Sequence, residues 1–453
     1  MNMRLSECAQ ILNGELIGVD GVFGSVSIDT RTLLPGDLYI AIKGERFDGN
    51  EFVDQAAQSG AVAAMVRQGV TANIPTIEVA DTHLALAELG GAWRNKAQAK
   101  VVGVTGSNGK TTVKEMVAAV LGAEGEVLYT KGNLNNDIGV PLTLLRLAER
   151  HRYAVIEMGA NHPGEIAYTA AYAKPDVAII TNAGPAHLEG FGSVEGVARA
   201  KGELFAALKP DGVAVINRDD TFFDYWCSIA GTREIISFGL RDGSDVTAAD
   251  IKTEIIHHQF ATGFMLVTPA GQIHCRLQLA GQHNVVNALA AAAAGLALGL
   301  NLEQIAQGLQ AVKPVTGRLQ PWVGRKGNIV IDDTYNANSG SLKAGLDVLA
   351  GIGQRPWLVL GAFAELGPES QNMHRDMGAL IKSSGVVRLL ATGSDAKAAV
   401  ETFGKGASFY ETQEELIAAL ENELTGEETI LIKGSRMRRM ENVAAALVEN
   451  FRA

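Results

Sequence analysis

Cysteine is scarce in this chain: Cys8, Cys227 and Cys275 stand far apart among 453 residues and form no Cys-x-x-Cys pair. That excludes a disulfide framework and a cysteine-built zinc site, and it suits a reducing compartment. Basic residues are also in deficit, 39 Lys and Arg against 50 Asp and Glu, for a formal net charge of -11. No general nucleic-acid face and no membrane-binding surface is therefore expected, although a local basic pocket for phosphates stays open. Long apolar runs are missing. The most apolar stretch, 288–300, is alanine-rich, too short to span a bilayer, and reads as a buried helix packed through small side chains. The first residues, Met-Asn-Met-Arg-Leu-Ser-Glu-Cys, lack the apolar core of a secretory signal, so the expected location is cytoplasmic. Fixed-period repeats and low-complexity segments are absent too.

What is present is a long globular chain. Apolar residues make up 47% and charged residues 20%, and 453 residues are too many for one core. Residues 1–98 read as a small mixed α/β domain, with helix patterns at 5–12, 52–59 and 82–96 and short strands at 26–29, 38–42, 61–66 and 77–79. From 99 to 314 strands alternate with helices: 100–105, 127–130, 154–158, 177–181 and 213–217 are the strands of a mostly parallel sheet covered on both faces. Residues 263–269 and 272–279 flank Pro269-Ala270-Gly271 as an antiparallel hairpin beside it. After the helix-breaking linker Lys313-Pro314-Val315-Thr316-Gly317-Arg318, residues 315–453 form a second, Rossmann-like α/β series with strands at 329–332, 357–360, 388–391 and 429–432.

One stretch organises the rest. The apolar strand 100–105 runs into Thr105-Gly106-Ser107-Asn108-Gly109-Lys110-Thr111-Thr112, and a helix pattern follows at 113–121. A strand that ends in glycines and opens a helix offers main-chain N–H groups and a positive helix end to an anion. Lys110 adds a mobile charge and Thr111 a hydroxyl suited to Mg²⁺. The strict Walker spacing fails, because Val104 stands where its first glycine belongs. The reading is a triphosphate cradle for ATP.

Other polar groups fall at strand ends, where open α/β sheets bind ligands. Glu157 ends one apolar strand, Asn182 and His187 follow another, and Gly132-Asn133-Leu134-Asn135-Asn136-Asp137 follows a third. A carboxylate and an imidazole beside a triphosphate suit Mg²⁺, directly or through water. In the first domain, Asp29-Thr30-Arg31 and Lys43-Gly44-Glu45-Arg46-Phe47-Asp48-Gly49 combine cations, turns and an aromatic able to stack on a base; two solvated turns are the plainer reading. Asn284 and Asn287 either cap the alanine-rich helix or read an adenine edge. Three classes of function fit: a ligase that phosphorylates a carboxylate for attack by an amine, a motor or switch NTPase, and a nucleotide-sensing regulator. Nothing resembles a repeated motor domain, which favours the ligase.

The cradle, Glu157, His187, Ala200-Lys201-Gly202-Glu203, His283-Asn284, Gly317-Arg318 and Asp333-Thr334-Tyr335-Asn336-Ala337-Asn338 together resemble the Mur ligase family across all three domains. Within it they resemble most the form that adds D-alanyl-D-alanine to UDP-N-acetylmuramoyl-tripeptide at the expense of ATP, through an acyl phosphate. The diaminopimelate- or lysine-adding forms are the alternative, but no Asp-Asn-Pro-Arg occurs here. The resemblance implies that residues 105–112, with Asn284, Arg318 and Asp333, hold ATP. It implies that Thr111, Glu157, His187 and Lys201 serve Mg²⁺, with Lys201 carbamylated by CO₂, and that Lys110, His187 and Lys201 are catalytic. Thr30, Arg31, Lys43, Gly44, Phe47, Asp48 and Asn136 would hold the UDP substrate, and Tyr335, Asn336, Asn338 and Arg436 the amine. A monomer is expected. One departure stands out: Ala362-Phe363 occupies the place where relatives of this form carry Asp-Met before Glu-Leu-Gly.

Overall fold

The computed structural model describes every residue except Met1, Glu45, His187, His257, His258, Gly353, Asn450, Arg452 and Ala453, and leaves out the side chain of Leu188. The chain forms a three-part α/β structure.

The first part carries a five-stranded sheet in the order Glu15–Ile17, Thr76–Val79, Ala63–Arg67, Asp37–Ile40, Ser25–Ser27. Leu38, Ile40, Met65 and Ile77 are fully buried there against Leu86 and Leu89 of the helix Thr82–Lys96. That helix starts at Asp81, whose carboxylate accepts from the N–H groups of His83 and Leu84 at 2.8 and 3.1 Å. Its last turn joins the next part. Trp93 Nε1 donates to the Leu147 carbonyl at 2.9 Å, and the buried Arg94 donates through Nε to Ala173 at 3.0 Å.

Six parallel strands form the central sheet, in the order Glu234–Phe238, Val213–Asn217, Val177–Ile180, Lys100–Thr105, His151–Glu157, Glu126–Tyr129. The cradle strand Lys100–Thr105 thus lies where the strand order reverses, the usual binding place in such a sheet. Burial on both sides explains why these strands read as continuous apolar runs. Val102, Val104 and Val155 face the helices Lys110–Gly122 and Gln282–Ala297, while Val101, Ile156 and Ile180 face Glu165–Ala173 and Val194–Ala206. Each such side chain contributes about 1.5–3 kcal/mol. The alanine-rich stretch is a buried helix, as its composition implies.

Beside this sheet the expected hairpin gains a third strand, giving Thr247–Ile256, Gln259–Thr268 and Gly271–Leu277, all antiparallel. The added strand carries Asp250, Lys252 and Glu254 and has no fully buried position, so it lacks an apolar signature. The sheet of the last part runs Gln320–Val323, Ile329–Asp333, Thr429–Lys433, Pro356–Gly361, Arg388–Thr392, Ala407–Tyr410, with only the first pair antiparallel. Its two edge strands, half-buried and in one case carrying Pro321, escape a reading based on apolar runs. Among the described residues no helix is long and apolar enough to cross a membrane.

Candidate active site

The cradle loop is shaped by two glycines in left-handed or otherwise glycine-favouring backbone. Gly106 has φ 151° and Gly109 φ 81°. A Cβ at Gly106 would stand 1.9 Å from Thr181 Oγ1, and one at Gly109 would stand 2.5 Å from Asn287 Oδ1. The neighbouring strand holds the loop in place. Ser107 N–H donates to the Asn182 carbonyl at 2.9 Å, Asn108 N–H to Asn182 Oδ1 at 2.9 Å, and Thr181 Oγ1 to the Asn108 carbonyl at 2.5 Å. No described side chain caps the helix Lys110–Gly122, so its first N–H groups are left for a ligand. Lys110 folds back over the loop and donates to the Gly106 carbonyl at 2.6 Å. The protein around it pushes Lys110 below the usual lysine range, against the pull of Glu157.

Glu157, at the carboxyl end of its strand, is buried next to the cradle. Asn135 Nδ2 donates to its Oε1 at 2.8 Å and Thr111 Oγ1 lies 3.4 Å from the same atom. Oε2 is buried with no hydrogen-bond partner among the described residues. An orphaned carboxylate oxygen beside a threonine hydroxyl is a donor set that suits a hard divalent cation. Asn135 belongs to the asparagine-rich loop 132–137 that the sequence points to, but the sequence assigns a ligand role in that loop only to Asn136. His187 lies outside the described residues. Lys201 sits on the helix Val194–Ala206, buried, with Nζ 5.7 Å from the Phe191 ring centre. Burial first, then the charge of Lys110, brings Lys201 down to about 7.

Two cavities meet at the cradle. One of about 330 Å³ lies between the central and last parts and is lined by Gly109, Thr112, Asn284, Asn287, Arg318 and Asp333, among others. Asn284 does not cap its helix; Nδ2 donates to the Ala280 carbonyl at 2.7 Å, and Asn287 Nδ2 donates to Asn284 Oδ1 at 3.1 Å. The second, of about 370 Å³, is lined by Lys110, Thr111, Asn136, Glu157, Tyr335 and Arg436, among others.

From the last part, Arg318 stacks on Tyr335 with 4.4 Å to the ring centre, and its buried Nε has no partner among the described residues. Asp333 receives Lys433 Nζ at 2.5 Å, a pair buried between two adjacent strand ends. Asn338, expected at the amine, also reaches the cradle: its Nδ2 donates to Asn108 Oδ1 at 2.7 Å. Asn336, Asn338 and Arg436 also line a smaller cavity of about 140 Å³ with Ala364, Leu366, Met373 and Ser435.

The first-part residues stand on loops of their own. Thr30 follows Asp29, whose carboxylate is taken by Arg31 at 2.6 Å. Asp48 accepts from Asn50 N–H at 3.0 Å and pairs with Arg67 at 3.2 Å, so it braces its own loop. Gly44 N–H donates to the Phe47 carbonyl at 2.9 Å, closing the turn between Lys43 and Asp48, and leaves the Phe47 ring 69% exposed. Asn136 lines the cradle cavity, and its Oδ1 accepts from Gly139 N–H at 2.9 Å.

Residues 104–295 match the Mur ligase middle domain, 317–436 the Mur ligase glutamate ligase domain, and 23–94 the Mur ligase family catalytic domain. The chain is 45% identical over 453 residues to the UDP-N-acetylmuramoyl-tripeptide--D-alanyl-D-alanine ligase of Escherichia coli, covering 99% of each chain. It belongs to the Mur ligase family. Two solved relatives share its three-part architecture. The MurF structure from Acinetobacter baumannii superposes with a TM-score of 0.92 at 39% identity, over 98% of both chains. MurF from Thermotoga maritima in complex with ADP gives 0.83 at 28% identity, over 93% of this chain and 96% of that one.

Proposed function

We infer that the chain is an ATP-dependent ligase that joins D-alanyl-D-alanine to UDP-N-acetylmuramoyl-tripeptide, giving the pentapeptide, ADP and phosphate for peptidoglycan synthesis in the cytoplasm. The observation that carries this is the full-length relationship to D-alanyl-D-alanine-adding ligases, in a chain whose cradle opens onto side chains of a second α/β body. We take residues 1–98 as the platform for the UDP end, 99–314 as the ATP-binding body and 315–453 as the body that brings the amine.

In the first step a carboxylate oxygen of the tripeptide attacks the terminal phosphorus of ATP and ADP leaves. The amine nitrogen then attacks the acyl carbon, phosphate departs with the C–O bonding pair, and the nitrogen loses a proton. Residues 105–112 hold the phosphates, with the uncapped N–H groups at the start of the helix Lys110–Gly122 turned to them, and Lys110 and Arg318 oppose the charge that spreads over the transferred group. Asn284 and Asp333 would serve the adenine and ribose, a reading supported by their shared place with Gly109 and Thr112 on the wall of the 330 Å³ cavity. Thr111 and Glu157 are the described residues that would hold Mg²⁺, which would supply positive charge against the phosphates. We assign His187 to the same metal set. Lys201 would contribute after its neutral amine takes up CO₂ and loses a proton, which turns a cation into an anion; its lowered pKa supplies that neutral amine near pH 7. Thr30, Arg31, Lys43, Gly44, Phe47, Asp48 and Asn136 would hold the UDP substrate, with exposed Phe47 free to stack. Tyr335, Asn336, Asn338 and Arg436 would face the amine. The chain is taken to act as a monomer.

Phosphate release with UDP-N-acetylmuramoyl-tripeptide and ATP tests this. Turnover should require D-alanyl-D-alanine and should not be supported by diaminopimelate or lysine. Equal turnover with either of those would remove the assignment.

A further inference from the structure

At the carboxyl end of the strand Pro356–Gly361 the chain turns sharply, and three consecutive N–H groups are each tied to a different element. Ala362 N–H donates to the Thr392 carbonyl at 3.0 Å, Phe363 N–H to His374 Nε2 at 3.1 Å, and Ala364 N–H to Ser435 Oγ at 2.7 Å. Glu365 follows with φ 62°, a conformation that a non-glycine residue keeps only when its surroundings impose it. Ala364, Glu365 and Leu366 then form one wall of the 140 Å³ cavity.

The middle tie is unusual, because a side-chain nitrogen holds a main-chain amide. His374 is fully buried on the helix Ser370–Ser383. Since Nε2 accepts from Phe363, the ring proton sits on Nδ1 and is donated to the Ser370 carbonyl at 2.7 Å. The Phe363 ring packs edge-on against the imidazole, 6.1 Å between centres. Ser370 is itself fixed, with Oγ donating to Asp395 at 2.7 Å. No acid is needed at 362 to hold this turn: Ala362 is fully buried, and a Cβ at Gly393 would stand 2.8 Å from Ala362 Cβ.

We propose that His374 is a positioning residue for the amine substrate, setting the wall 364–366 through the Phe363 amide without touching the reacting atoms. The proposal rests on reading the 140 Å³ cavity as the amine site. His374→Met keeps similar bulk and leaves the Phe363 N–H unpaired; His374→Gln restores an acceptor at the position of Nε2. In the substrate-free protein, His374→Met should speed amide exchange across 361–366. It should also raise KM for D-alanyl-D-alanine about tenfold, the order expected when the wall 364–366 loses one hydrogen bond that holds it in its binding geometry. KM for ATP and for the UDP-tripeptide should stay within about twofold, and His374→Gln should recover most of the loss. Unchanged exchange, or three KM values moving together, would overturn the proposal. Faster exchange with a raised KM for the UDP-tripeptide alone would uphold the positioning role and refute the cavity assignment. If His374→Met does not fold, His374→Asn, which keeps the Ser370 contact and loses the Phe363 acceptor, carries the same predictions.

Discussion

The central and last parts both place their polar groups at the carboxyl ends of parallel strands, yet they do so with different material. Apart from Glu157, the central sheet presents mainly main chain: two glycines, a loop tied to the adjacent strand and an uncapped helix end. The last sheet presents side chains: Asp333 and Lys433 paired across neighbouring strands, and Arg318 stacked on Tyr335. The difference follows from what the strand-to-helix loop is made of. The two loops are nearly equal in length, 106–109 before the helix that starts at Lys110 and 334–338 before the one that starts at Ser339. The first contains two positive-φ glycines and the second none, so the second carries side chains that can reach across to Asn108. A glycine-bearing loop makes an anion site from the backbone, whereas one of nearly the same length without glycine delivers side chains to a site built elsewhere.

That contrast can be broken experimentally. Lys110→Ala removes the one mobile charge of the main-chain cradle and should lower kcat by about a thousandfold or more, read as phosphate release. Near-normal turnover would show that the cradle is not the reacting end. Lys433→Met strips the partner from a buried carboxylate and should destabilise the protein by about 3–5 kcal/mol in urea unfolding. A similar loss from Lys110→Ala would erase the distinction between a ligand-directed lysine and a structural one.

Lys201 tests both roles at once. Lys201→Ala should lose most activity and regain part of it with a short-chain carboxylic acid; an unrescued but folded variant would count against the carbamate. Its pKa is lowered by folding, so the unfolded chain holds the proton more tightly, and the buried lysine costs stability in full below about pH 7. The cost should shrink as pH rises from there to the ordinary 10.5. Lys201→Met should therefore unfold at a higher temperature than the parent protein, by a margin that is constant below pH 7 and narrows above it. Asn338→Ala should have the smallest effect, a few-fold rise in KM for ATP with kcat nearly kept.

The organisation was legible because most of its determinants are local. Glycines at 106 and 109, a lysine and threonines after them, and doubly buried strands leave plain patterns. Glu157 was found because it ends such a strand. What stayed hidden depends on contacts between distant segments: the hold of Asn182 and Thr181 on the cradle, the Asn135–Glu157 bond, and the turn of Asn338 toward Asn108. Edge strands and the half-exposed strand Thr247–Ile256 were missed because packing on one side writes a weaker pattern.

The bond between Asn338 and Asn108 joins two neutral amides, and either can exchange it for water at little cost. Such a bond is worth about 1 kcal/mol net, a bias of about fivefold between joined and separated populations. Neither partner titrates and neither is charged, so the bias should be indifferent to pH and ionic strength. The balance between the two bodies at this contact is then left for bound ligands to tip.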